Sequence, residues 1–89
     1  MLNHLDQKQI TIRGLIVPSE WDDTGNVISI SISAFNEDEY LIDKDSVSKK
    51  LLSYMREGVE VSGFVREEEG IKRIKIKKYR IKNMPLVPS

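Results

Sequence analysis

The sequence predicts an all-β domain with one helix, its five strands closing into a small barrel in the order strand, strand, strand, helix, strand, strand. Three observations carry that prediction. Apolar residues recur at every second position in four separate stretches, the period of a half-buried strand, and a fifth, short stretch is rich in β-favouring residues. One eleven-residue stretch, Val47 to Glu57, changes to the period of a helix. Polar clusters rich in Gly, Asn, Asp and Glu separate these stretches as tight turns do. A chain of 89 residues has room for one domain. It is expected over residues 9–83, between a frayed start at 1–8 and an extended tail at 84–89.

The first strand is expected from Gln9 to Trp21, with Ile10, Ile12 and Ile16 facing inward and Thr11 and Arg13 outward. Gly14 interrupts the alternation and marks a bulge or bend, so this strand passes from one part of the sheet to another. Asp22 to Asn26 supplies turn chemistry, with Gly25 free to take a positive φ. Val27 to Ala34 is the second strand, placing Ile28, Ile30 and Ile32 on one face and Ser29, Ser31 and Ser33 on the other. Asn36 to Glu39 forms the next turn, and Tyr40 to Asp43 a short third strand. In the helix Val47, Leu51, Leu52, Tyr54 and Met55 share one stripe. Asp45 or Ser46 caps its start, and Gly58 is expected at the left-handed position that ends it.

Val59 to Arg66 and Ile71 to Ile81 read as a hairpin. A four-residue turn, Glu67 to Gly70, would set Val65 opposite Lys72, Gly63 opposite Ile74 and Val61 opposite Ile76. The other face would then pair Phe64 with Arg73, Ser62 with Lys75 and Glu60 with Lys77. The apolar parity changes after Lys77, so a bulge is expected near Lys77 and Lys78.

Composition removes several classes of function. Fourteen basic and fourteen acidic residues cancel, leaving no overall field to draw in a polyanion or an anionic membrane. The absence of cysteine excludes disulfides, thiolate nucleophiles and zinc–thiolate clusters. The opening MLNHLDQKQ has no apolar targeting segment, and runs such as Leu15–Val17 are too short to enter a membrane, so a cytoplasmic location is expected. His4 has no acid–base partner near it in sequence, and no nucleophile, zincin or phosphate-cradling motif is present, so catalysis is not expected. The acidic runs at residues 37–39 and 67–69 lack the ligand spacing of a metal loop, so neither metal nor cofactor is expected.

This element order, with a bent glycine-containing first strand and the helix before the last two strands, is that of the five-stranded OB Greek-key barrel. An SH3-like barrel is the alternative, but it does not ordinarily place such a helix there. At TIRGLIVPSEWDDTGN, EDEYLID and VEVSGFVREEEG the chain also resembles a group of small bacterial single-domain OB-like proteins without an assigned activity. The resemblance implies the shape and no catalytic motif.

Charge is distributed unevenly along the chain. Lys72, Arg73, Lys75, Lys77, Lys78, Arg80 and Lys82 supply seven of the fourteen basic residues, and no acidic residue follows Glu69. A positive last strand beside an outward Phe64 suggests a site for single-stranded DNA or RNA, with Phe64 and either Trp21 or Tyr40 stacking on bases. The predicted nucleic-acid contacts are Phe64, Arg73, Lys75, Lys77, Lys78, Arg80, Trp21 and Tyr40. The competing reading has the acidic residues neutralise this strand, Trp21 plugging the barrel end and Tyr40 packing inside it. Acidic residues in both loops usual for OB ligands, Glu20, Asp22 and Asp23 in one and Glu67 to Glu69 in the other, favour a protein partner or a second copy of the chain.

Overall fold

The computed structural model describes residues 8–82. The expected tail at 84–89, and the expected frayed start with His4 except for Lys8, lie outside the described residues. Five strands, β1 (Lys8–Trp21), β2 (Val27–Ala34), β3 (Glu39–Ile42), β4 (Gly58–Glu68) and β5 (Ile71–Lys82), and one helix, α1 (Ser46–Leu51), follow the expected order. The sheet closes into a barrel ordered β1-β2-β3-β5-β4. β4 pairs back onto β1, and every neighbour is antiparallel except β3 and β5. That parallel seam consists of two pairs, Leu41–Arg73 and Ile42–Ile74.

β1 pairs with β4 from Lys8 to Leu15 and with β2 from Gly14 to Trp21, so Gly14 is where the strand passes between partners. A Cβ at Gly14 would collide with the Ser33 carbonyl oxygen and lie 2.8 Å from Ala34 Cα. Glycine is needed there for the approach of two backbones.

Alternation places Ile12 and Ile16, Ile30, Ile32 and Ala34, Tyr40 and Ile42, Val59 and Val61, and Ile74 and Ile76 inside, with Leu51 of α1 among them. β-branched residues dominate because they fit a pleated surface packed on one side. Burying each such side chain contributes roughly 1.5–3 kcal/mol before the entropy of ordering is subtracted. The second strand departs from expectation. Ile28 is 43% exposed, whereas Ser29 and Ser31, on the outward parity, are buried. Ser31 lies between Val17 and Leu41 on the flanking strands, whose larger side chains flank it.

α1 is shorter than the apolar stripe predicts. Asp45 caps it, its carboxylate accepting from the Val47 and Ser48 amides at 3.0 and 3.1 Å, and the Ser48 hydroxyl accepts from the Asp45 amide at 2.9 Å. After Leu51 the chain tightens into a 3-10 turn, Leu52–Tyr54. Arg56, at φ 68°, takes the left-handed conformation expected of Gly58, which is instead buried at the start of β4. This early exit lets Arg56 donate to Ile16 O and Glu57 accept from Ile16 N, extending the β1 ladder. Met55 packs partly on the core, but Tyr54 remains 38% exposed rather than joining it.

The last hairpin turns at Glu69 and Gly70, both at positive φ, rather than over four residues. Glu68 therefore faces Ile71, Val65 faces Ile74 and Phe64 faces Lys75. The register differs by two residues from the expected one, which preserves which side chains point inward. The predicted bulge is present: Gly63 pairs with Ile76 and Ser62 with Lys78, leaving Lys77 as the extra residue.

Candidate functional site

Three outward rows cross β1, β4 and β5. They run Gln9–Phe64–Lys75, Thr11–Ser62–Lys78 and Arg13–Glu60–Arg80, and Lys82 continues the edge opposite Gly58. Thr11 and Ser62 hydroxyls hydrogen-bond across the middle row at 2.9 Å. Glu60 is the sole carboxylate in these rows and is held by Arg13 at 3.3 Å. The face thus presents an extended cationic edge beside small hydroxyls and a half-buried phenylalanine.

The rest of the basic strand is neutralised. Lys72 Nζ lies 3.4 Å from Asp38, Arg73 Nε 3.2 Å from Glu68 and Lys75 Nζ 3.5 Å from Asp45. Arg66 joins the Arg73–Glu68 pair from β4, gripping Asp43 with both terminal guanidinium nitrogens at 2.8 and 3.2 Å and Glu68 at 2.8 Å. Its hydrogen bonds to Asp43, and then to Glu68, raise an already high pKa, so it remains charged. Lys72, Arg73 and Lys75 therefore do not belong to an open cationic surface, and the expected contacts at Arg73 and Lys75 are not free to take a phosphate. Lys77, Lys78, Arg80 and Lys82 make no ion pair among the described residues. The split follows from position: the start of β5 lies against the acidic β2–β3 turn and the helix cap, whereas its end faces β4.

The aromatic candidates do not converge. Tyr40 is 7% exposed and belongs to the core, so its ring offers no stacking face. Trp21 is 55% exposed at the first hairpin and does not plug the barrel. It also stands twelve residues along β1 from Gln9, the partner of Phe64, or up to about 40 Å of strand. Phe64 alone lies beside the cations. Arg13 and Thr11 complete the face without having been expected there, and so does Lys82, which the sequence places in the basic run but not among the expected contacts. Arg13 could be recognised there only through the β1–β4 pairing, which joins positions 47 residues apart.

The loops are acidic, but not alike. Asp22 is consumed locally, one carboxylate oxygen accepting from the Thr24 amide, the Thr24 hydroxyl and the Asn26 amide, each at 2.9 Å. The Asn26 amide, then the Thr24 hydroxyl, hold this carboxyl below its ordinary 3.8. Around β2 and β3, by contrast, Glu20, Glu37, Asp38 and Glu39 line an open cleft of about 570 Å³. Among the described residues no three His, Asp or Glu side chains converge as metal ligands, and no helix is long and apolar enough to cross a membrane.

No family model matches the chain, and no curated protein or solved structure matches it.

Proposed function

We propose that this protein is a non-catalytic binding module of the OB type whose β1–β4–β5 face takes a single strand of DNA or RNA. The OB assignment rests on the closed β1-β2-β3-β5-β4 order, the helix between β3 and β4, and the first strand shared between two neighbours at Gly14. The observation that carries the ligand is the register of the last hairpin. It puts Lys78 and Arg80 along one edge of the face that holds Phe64, with Lys77 exposed at the bulge, while Lys75 opposite Phe64 is held by Asp45.

Cations that neutralise phosphates supply sequence-independent affinity, and an aromatic ring in the same strip stacks on an unpaired base. A duplex keeps its bases stacked on one another, so Phe64 favours a single strand. Four uncompensated cations make a modest interface, with weak and strongly salt-sensitive binding. The face differs from the usual OB ligand groove over strands two and three, which here is acidic and would repel phosphate.

The test is fluorescence anisotropy of a dye-labelled oligothymidine or oligouridine at low salt. Lys78→Glu/Arg80→Glu is expected to remove binding and Phe64→Ala to weaken it, while Lys72→Ala leaves it unchanged. An absence of binding by the wild type at low salt, or equal binding by the double variant, would overturn the proposal. Trp21 emission is a poor reporter because the indole lies far along β1 from this face.

A further inference from the structure

The cleft around β2 and β3 carries charge complementary to that edge. Ser31 and Leu41 line the cleft there together with Glu20, Glu37, Glu39 and, from the last hairpin, Ile71. Lys72 also lines it but is already engaged with Asp38 at 3.4 Å. Glu37 and Glu39 make no ion pair among the described residues.

An acidic rim alone specifies nothing, and Ser31 adds the second observation. Its side chain is directed to the outer surface, opposite the inward Ile30 and Ile32, and is 2% exposed. Its neighbour Ser29 donates to Glu20 Oε1 at 2.8 Å. The Ser31 hydroxyl has no hydrogen-bond partner among the described residues, although buried polar groups nearly always have one. A group that reaches it must enter between carboxylates, and so carries hydrogen-bond donors and positive charge. Ile71, 48% exposed, and Leu41 form an apolar wall suited to a methylene stem. An ammonium on an aliphatic chain, as in lysine, meets all three conditions.

We infer that the cleft receives a lysine from the cationic edge of a second copy, so that the chain self-associates head to tail. Lys77 and Lys78 are exposed and without an ion pair among the described residues. They stand five and six residues along β5 from Lys72, which lines the cleft, or about 16–20 Å of strand, beyond the reach of a lysine side chain, so the match is made between molecules and not within one. The zero net charge means that two copies meet without overall repulsion while their opposite patches attract. A contact between unlike patches leaves the pair with one free edge on one molecule and one free cleft on the other, which permits growth beyond two.

Sedimentation velocity over a concentration series, at low and then high salt, tests the inference. The wild type is expected to associate at low salt and return to monomer at high salt. Lys77→Ala/Lys78→Ala and Glu37→Gln/Glu39→Gln should each associate about tenfold or more weakly. Their equimolar mixture should give a one-to-one complex and nothing larger, because one intact edge then meets one intact cleft. Ser31→Ala should weaken association without lowering the stability of the fold. A wild type that stays monomeric at low salt, or a Glu37→Gln/Glu39→Gln variant that associates as strongly as wild type, would overturn the inference. The outcome is separable from that of the nucleic-acid proposal, since the Glu37→Gln/Glu39→Gln variant retains the whole β1–β4–β5 face and should still bind oligonucleotide.

Discussion

Gly14→Ala is expected to be among the most damaging single-methyl substitutions in the protein. The added Cβ would strike the Ser33 carbonyl oxygen and sit 2.8 Å from Ala34 Cα, and both obstacles are backbone. No rotamer change relieves them, so β1 and β2 must separate where β1 changes partners. Overpacking of this kind costs about 1–3 kcal/mol, and an obstacle of backbone puts the cost at the upper end. The alanine returns about 0.4–1 kcal/mol by restricting the unfolded chain. The net loss is then about 2–3 kcal/mol, against about 5–10 kcal/mol for a domain of this size. It should appear in urea unfolding as a lower midpoint with an unchanged slope, and thermally as a fall of roughly 10–20 °C. Gly25→Ala is the control. Nothing lies within 4 Å of its added Cβ, and only the φ of +91° opposes it, at about 1–2 kcal/mol. A Gly14→Ala protein within about 0.5 kcal/mol of wild type, or one no less stable than Gly25→Ala, would refute the close-approach argument.

Other perturbations isolate single features. If about four cations contact phosphate, the logarithm of affinity should fall with a slope near −2.8 against the logarithm of salt, about a fifty-fold loss between 50 and 200 mM. Lys78→Ala should reduce that slope by about 0.7 and Arg73→Ala should leave it unchanged, as read by anisotropy titrations. Asp45→Ala removes the acceptor for the Val47 and Ser48 amides and should cost about 1 kcal/mol in chemical unfolding, whereas Asp45→Asn should retain most of the cap. Asp22 has a folded pKa below its ordinary 3.8. Its contribution to stability is therefore fully present above that value and is lost as pH falls through the lower folded pKa. Acid unfolding monitored by circular dichroism should show that loss in the wild type and not in Asp22→Ala.

Much of the architecture was legible because alternation is robust to an error of two. The expected four-residue turn in the last hairpin misassigned every cross-strand partner, yet Val61, Val65, Ile74 and Ile76 kept their inward parity. Partners depend on a turn whose Glu69 takes a positive φ, and nothing in a glutamate announces that. The helix was overextended for a related reason. Leu52 and Tyr54 continue the apolar stripe, but the backbone leaves the helix so that Arg56 and Glu57 can pair with Ile16, a requirement set forty residues earlier in the chain. Within the candidate site, the concentration of charge was legible and its division was not. Whether a basic residue on β5 is free depends on Asp38, Asp43 and Asp45, which reach it across the barrel closure, with Glu68 of the hairpin partner added only at Arg73.

That closure has a dynamic consequence. Two parallel residue pairs join β3 to β5, reinforced by the Asp43 amide donating to Ile74 O at 3.0 Å and by Arg66 and Arg73 straddling the Asp43 carboxylate. Every other seam is longer, so thermal opening should begin here and unroll the cylinder into a ribbon while both outer hairpins survive. The Asp43 amide should accordingly exchange its proton well before those in the middle of β4.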